Sequence, residues 1–282
     1  MKSFNNKVAA ITGAGSGMGR TLALDLARRG CHLALSDVNE PGLAETVQQV
    51  QQIKPSIKVT AQRVDVADRV AVFAWADQVA ADHGKVNLIF NNAGVGLGAA
   101  VDGMKLEDFE WLMNINFWGV VHGTQAFLPH LKAAGEGHII NTSSLFGLLA
   151  VPSQSAYNAA KFAVRGFTES LSEELRLDNG PVRVTCVHPG GIDTNIVAGG
   201  RVTPSQSLGF ETVEQAARDF KRLARTSPEA MASSARRSMA SSSRATSRSR
   251  RDGWRGSVMT IAALASARMK SATRTSTKDM PD

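Results

Sequence analysis

Lys7-Val8-Ala9-Ala10-Ile11-Thr12-Gly13-Ala14-Gly15-Ser16-Gly17-Met18-Gly19 is the stretch on which the fold turns. Residues 7–12 are a short apolar run that ends in glycine, the pattern of a buried strand. Beyond the glycines, Met18, Leu22 and Leu26 recur at fourfold spacing, which predicts a helix. A plain tight turn would also explain the glycines. Strand, glycine turn and helix, however, form the context in which such a motif binds a dinucleotide. The missing side chains let the backbone approach a pyrophosphate, and the helix N-terminus favours its negative charge. Gly13, Gly15, Ser16, Gly17, Met18 and Gly19 are therefore candidate cofactor contacts.

The same alternation continues along the chain. A strand at 31–36 ends in Asp37, and a polar-faced helix covers about 40–53. A strand at 57–64 ends in Asp65-Val66, a helix follows at about 68–83, and the strand 86–90 runs into Asn91-Asn92-Ala93-Gly94. Residues 107–131 read as helical, with Asn116 near the middle. The run 137–143 delivers Ser144, a long helix covers 155–178, and a sixth strand, 182–188, ends in Pro189-Gly190. Strands alternating with helices imply α/β architecture with a doubly wound parallel sheet. Ligands of such sheets bind at the C-terminal ends of the strands. Asp37, Asp65 and Asn91 sit at three such ends. A carboxylate at Asp37 would accept hydrogen bonds from the adenosine ribose and repel a 2′-phosphate, which argues for NAD over NADP. Two readings oppose this. Arg20 could hold a phosphate, and Asp37 could serve merely as an acid at a helix N-terminus.

Ser144-Leu-Phe-Gly-Leu-Leu-Ala-Val-Pro-Ser-Gln-Ser-Ala-Tyr157-Asn-Ala-Ala-Lys161 carries the chemistry. At (i, i+4) on a helix, Tyr157 and Lys161 share a face. Taken alone, the pair is equally a packed tyrosine beside a solvated lysine. A lysine ammonium favours the phenolate. At roughly 4 Å and an effective dielectric of about 20, the attraction is about 4 kcal/mol before desolvation. That lowers the tyrosine pKa by about three units at most, toward a group that exchanges protons with an alcohol or ketone. On the same helix Ala159, Ala163, Phe167, Leu171 and Leu175 form an apolar stripe suited to core packing. Phe162 and Val164 form a second apolar face that could serve a dimer contact.

Composition limits the other possibilities. The chain has 282 residues, 43% apolar, with 25 glycines, which fits a globular protein. Its apolar runs are far shorter than a membrane span, and the first residues lack the apolar core of a secretion signal. Cys31 and Cys186 fall in apolar strand-like runs and read as reduced core residues of a cytoplasmic protein, with no metal site. Of the net charge of +7, none belongs to residues 1–225, which hold 21 basic and 21 acidic residues. The excess lies wholly after residue 225.

Thr-Gly-x-x-x-Gly-x-Gly at 12–19, Asn-Asn-Ala-Gly at 91–94, Asn116, Ser144, Tyr-x-x-x-Lys at 157–161 and Pro-Gly at 189–190 stand in the order and spacing of one family. Over about residues 5–230 the chain resembles a short-chain dehydrogenase/reductase, with a Rossmann-like fold. The resemblance implies that Tyr157 is the acid/base. Lys161 would lower its pKa and hold the nicotinamide ribose, and Ser144 would position the substrate oxygen. Asn116 would hold a water of a proton relay behind Lys161. Asp65 and Val66 would contact adenine, and Asn91 the adjoining ribose, with Ala93 and Gly94 beside it. After Pro189 and Gly190, Ile192 and Thr194 would hold the carboxamide and pyrophosphate. Val95, Leu97, Leu145, Phe146, Leu148, Val151, Ile196 and Val197 are apolar near the expected pocket, with Arg201 the one cation in those stretches. This points to an apolar secondary alcohol or ketone, although the same residues also suit an ordinary core.

The family pattern fails after about residue 231. A seventh strand and a last helix should follow. Residues 226–282 instead hold 13 Ser and 9 Arg but one each of Val, Ile and Leu, too little apolar surface to offset ordering entropy. The expected division is therefore a catalytic domain at 1–228 and a Ser/Arg/Ala-rich tail at 229–282. A frameshift near residue 231, a disordered tail and an Arg/Ser segment that binds RNA or another polyanion are the competing readings. The last would go with a catalytically impaired dinucleotide-binding protein. Homo-oligomerisation is open, because the elements that usually build the interface are the ones in question.

Overall fold

A computed structural model describes residues 1, 3–190, 196 and 199–203. The expectations for Ile192, Thr194 and Val197, and for everything from residue 204 onward including the tail, lie outside the described residues.

Among the described residues, six strands form one parallel sheet: β1 (Val8–Thr12), β2 (His32–Asp37), β3 (Val59–Arg63), β4 (Leu88–Asn91), β6 (Gly137–Thr142) and β7 (Val182–Val187). Their order is β3-β2-β1-β4-β6-β7. The chain winds outward from β1 in one direction, then returns to the other side of β1 with β4. A crevice therefore opens beyond the C-terminal ends of β1 and β4, where the direction of winding reverses. Two short strands, β5 (Leu97–Gly98) and β8 (Arg201–Val202), pair in a separate small parallel sheet that the sequence did not lead one to expect.

The strands read as continuous apolar runs because helices cover both faces. Along β1 the side chains alternate. Ala9 and Ile11 join Leu33, Leu35, Leu88 and Phe90 under α1 (Gly17–Arg28) and α2 (Glu40–Ile53). Val8 and Ala10 join Ala34, Ile89 and Ile139 on the opposite face. There they meet Trp75 of α3 (Arg69–His83), Phe127 of α5 (Gly119–Ala133) and Leu171 of α6 (Ser155–Leu177). Trp75 and Phe127 pack edge to face, with centroids 5.1 Å apart. β3, whose residues are half-buried or exposed, is polar in the way edge strands are.

Local signals set the ends of the helices. Asn39 caps α2 through Gly42 N–H at 3.1 Å, and Asp68 caps α3 through Ala71 N–H at 3.1 Å. Gly84, at φ +71°, ends α3 in the left-handed conformation that glycine adopts at least cost. The expected helix at 107–131 is two helices, α4 (Leu106–Met113) and α5, joined by a π turn at Asn114–Trp118. Among the described residues no helix is long and apolar enough to cross a membrane.

The face that α6 buries matches the expected stripe at Leu171 and Leu175 and departs from it in the first half of the helix. Ala156, Ala160, Val164, Thr168, Leu171 and Leu175 turn inward, while Ala159 is exposed and Phe167 half-buried. Val164 packs on Val120 and Cys186, so it takes no part in an outer face; Phe162 is 42% exposed. Alanine on both sides of the helix hid the distinction, since the buried stripe and its neighbour look alike in apolar content.

Candidate active site

Thr12 joins the two strands that flank the crevice. Its hydroxyl donates to Phe90 O at 3.3 Å and accepts from Asn92 and Ala93 N–H, each at 3.0 Å. Gly13 follows at φ +67°, where a Cβ would come within 2.8 Å of Ala93 Cα. A side chain here would meet both an unfavourable backbone conformation and the opposite wall. Ser16 stands at the N-cap of α1 without a side-chain cap, and no acidic residue occupies the first turn. The amides and positive end of that helix are thus left facing the glycine loop, as anion binding requires.

Asp37 lies at the same mouth. Its carboxylate accepts from Gly15 N–H at 2.7 Å and from Asn39 N–H at 2.9 Å. Arg20 points elsewhere. Its guanidinium donates to Gly15 O at 2.6 Å, Gly42 O at 3.2 Å, Glu45 at 2.8 Å and Thr46 at 3.0 Å, tying α1 to α2. A phosphate-binding role for Arg20 would require breaking these bonds. Asp65 is exposed at the end of β3 and accepts from Ala67 N–H at 2.9 Å. Val66 is buried, with its carbonyl 3.0 Å from His122 Nδ1.

Asn91 turns its side chain away from the crevice. Its amide donates to Thr124 at 3.2 Å and to Asn141 at 2.8 Å, so what it offers a cofactor is backbone. Asn116, on the π turn, clasps Val95 from both sides, accepting from its N–H and donating to its carbonyl at 2.8 Å each. π turns of this kind recur at functional sites. A Cβ on Gly94 would lie 3.2 Å from Asn116 Oδ1 and 3.7 Å from Lys161 Nζ, so the bare glycine keeps these two groups accessible to one another.

The structure brings Ser144, Tyr157 and Lys161 together. Ser144 leaves β6, and its hydroxyl accepts from Phe146 N–H at 3.1 Å. Tyr157, on the first turn of α6, packs edge-on against Phe146. Lys161 lies one turn later, 2% exposed, with its ammonium on Thr142 O at 2.9 Å and 5.6 Å from the Tyr157 ring centre. Burial lowers its pKa to about 8, opposed by nearby Cys186. At neutral pH it is still mainly cationic.

One expectation is corrected here. The tyrosine pKa is not lowered in the protein alone. Burial pushes the Tyr157 phenol up to about 12, against a lowering hydrogen bond from Ser144. Desolvation of the phenol is the larger effect, and the Lys161 ammonium is engaged by Thr142 O.

Two contributors escaped the reading of the sequence. His188, fully buried before Pro189, lies with Nδ1 3.0 Å from Ser144 O. Burial lowers its pKa, so the neutral ring donates from Nδ1, and among the described residues Nε2 has no partner. Asn158 braces the loop after Ser144. A polar residue beside each motif was the available signal for both.

Around Tyr157 the walls are apolar: Leu97, Ala99 and Leu112 cluster with Val95, Phe109 and Trp111. Leu145, Phe146 and Leu148 are half-buried, as are Val151 and Ile196. Arg201 stacks 4.0 Å over Trp111 and pairs with Asp108 at 2.5 Å, so its charge is directed at α4.

The model of the short chain dehydrogenase family matches residues 7–203. The chain belongs to that family. The protein SadH of Mycobacterium tuberculosis is 52% identical over 231 residues, 81% of each chain. Cyclohexanol dehydrogenase of an Acinetobacter species is 35% identical over 196 residues, 69% of this chain and 76% of that one. A short-chain dehydrogenase/reductase from Burkholderia phymatum, crystallised with NAD, superposes with a TM-score of 0.78 at 35% identity, covering 86% of this chain and 88% of the other.

Proposed function

We propose that this chain is an NAD-dependent oxidoreductase that interconverts an apolar secondary alcohol and its ketone, with Tyr157 as the acid/base. The observation that carries this reading is the joining of Ser144, Tyr157 and Lys161 at one strand end, beside an apolar wall and next to a glycine crevice. The residues present suit NAD. Glycines keep the backbone of the loop free of side chains, the helix end is uncapped, and Asp37 sets a carboxylate at the mouth, where it would repel a 2′-phosphate. Gly13 to Gly19, Asp37, the backbone of Asn91 to Gly94, and Pro189 and Gly190 would hold it. When bound, NAD would supply the hydride acceptor for oxidation, and its reduced form the hydride donor for ketone reduction.

The protein's part is proton transfer and orientation. Ser144 and Tyr157 present two hydroxyls to the substrate oxygen. In alcohol oxidation the Tyr157 phenolate takes the hydroxyl proton as the carbinol C–H bond breaks; in ketone reduction the phenol returns it. The high pKa of Tyr157 keeps the phenol protonated at neutral pH and so favours the donating role. Lys161 holds a buried cation one turn away, and Asn116 fixes the loop that faces it. The cyclohexanol dehydrogenase relative supports an apolar alcohol, as does the absence of a free cation along the described wall.

The test is a series of secondary alcohols and their ketones, from cyclohexanol to longer apolar chains, with NAD and NADP, read at the absorbance of the reduced nicotinamide. Turnover of apolar members with NAD preferred is the expected result. No turnover in either direction, or a higher kcat/KM with NADP, overturns the reading.

A further inference from the structure

Asn158 lies on α6 beside Tyr157 and is 8% exposed. Its carboxamide makes three hydrogen bonds to one loop. Nδ2 donates to Phe146 O at 2.6 Å and to Leu149 O at 2.7 Å, and Oδ1 accepts from Val151 N–H at 3.2 Å. That loop runs from Ser144 back to α6. Phe146 is consequently held at both ends. Its carbonyl is on Asn158 and its N–H is on the Ser144 hydroxyl, while its ring meets Tyr157 edge-on at 6.1 Å.

From this geometry we infer that Asn158 is a positioning residue for the reaction, fixing Phe146 and through it the direction of the Ser144 hydroxyl toward Tyr157. The inference rests on the catalytic reading of Ser144 and Tyr157 given above. The Phe146 N–H occupies one acceptor side of Ser144 Oγ, so the serine's own hydrogen is left for another oxygen. If Phe146 moves, that rotor is released. A carboxamide suits the task because it offers two donors and an acceptor in one plane. Aspartate keeps the shape but loses both donors, and an apolar residue would remove the side-chain partner of two carbonyls and an N–H at once. From beneath, His188 and Gly147 N–H hold the Ser144 carbonyl, so the serine is fixed at its backbone by one set of groups and at its hydroxyl by another.

The test compares Asn158→Ala and Asn158→Asp with the wild type, using NAD with cyclohexanol as the probe alcohol, NAD binding by fluorescence, and amide hydrogen exchange across residues 146–151. Misplacement of a reacting group is expected to lower kcat by about tenfold or more in both variants, with the NAD dissociation constant within about twofold of wild type. Exchange of the loop should quicken in Asn158→Ala. In Asn158→Asp the Val151 amide should stay protected, since its acceptor remains, while kcat still falls. A general loosening of the fold would not give that split. A kcat within about twofold of wild type in both variants overturns the inference, as does a loss of NAD binding equal to the loss of kcat. If the wild type turns over no alcohol, the oxidoreductase reading fails instead. The exchange data then decide alone, and unchanged exchange at 146–151 in Asn158→Ala overturns the clamp.

Discussion

Replacing Tyr157 by Phe keeps the ring that packs against Phe146 and removes the one proton the proposed reaction moves. Turnover is expected to fall by at least ~10²-fold, the low end for general acid–base catalysis, with NAD binding little changed. Wild-type turnover in this variant would remove Tyr157 from the mechanism. Tyr157 is also the chain's only tyrosine, so tyrosinate absorbance reports it alone. An unperturbed tyrosine is about half ionised at pH 10. With its pKa raised to about 12 by burial, the folded protein should show almost no tyrosinate there, and Tyr157→Phe should show none at any pH. The spacing of Tyr157 and Lys161 was legible in the sequence; the sign of the shift was not. Coulomb attraction depends on a spacing that a helix fixes. Desolvation depends on what the rest of the chain places over the phenol.

At the scale of elements, α5 packs on the Asn91 side chain of β4 so closely that Gly123 has no room for a side chain of its own. A Cβ added to Gly123 would land on Asn91 Oδ1, within a buried network in which Asn91 bonds Thr124 and Asn141, and Asn141 in turn bonds Thr168 at 3.1 Å. Two effects oppose each other in Gly123→Ala. Helix propensity favours alanine by about 1 kcal/mol. Overpacking against a fixed amide costs about 1–3 kcal/mol, and displacing Asn91 would leave buried polar groups without partners at a similar further cost. The clash therefore wins, and the variant should unfold at lower denaturant than wild type in an equilibrium titration. Equal or greater stability would show that α5 can shift away from β4. Helices and strands themselves were readable from periodicity. The π turn at Asn114–Trp118 and the small sheet of β5 and β8 were not, because each is set by partners distant in the chain.

For the molecule as a whole, the acid limit of stability should owe much to His138. It is buried in β6, with Nε2 2.8 Å from the Thr185 hydroxyl. Its pKa falls to about 3, through burial first and then the positive charges of the N-terminus and Arg183. A depressed folded pKa means that the unfolded chain binds the proton more readily. The stability this neutral ring confers is complete above its unfolded value of 6.5 and is lost as pH falls toward about 3. The full loss is on the order of 5 kcal/mol, comparable to the net stability of many domains. His138→Gln can keep a bond to Thr185 and does not titrate. Urea unfolding at pH 7, 5 and 4 should show a shallower loss for the variant than for the wild type. Some slope should remain, since His83 and His188 also have lowered pKa values through burial. Identical slopes would remove His138 from the acid response.

By itself the sequence determined the repeating strand and helix, the glycine crevice after β1, the carboxylate at Asp37 and the Tyr157–Lys161 pairing on one helix. Each is a short-range pattern, written in residues a few positions apart, and family spacing ties them together. Only the tertiary structure decided how the side chains are used. Arg20 is spent on Glu45, 25 positions away, and His188 supports Ser144 from 44 positions away. Asn91 turns inward to Asn141, 50 positions away, and the inward face of α6 is the one the sheet selects over a neighbour of similar apolar content. The physical reason is common to all of them. Periodicity and backbone preference are local, whereas desolvation and the choice of hydrogen-bond partner exist only once distant segments have closed over the same few ångströms of space.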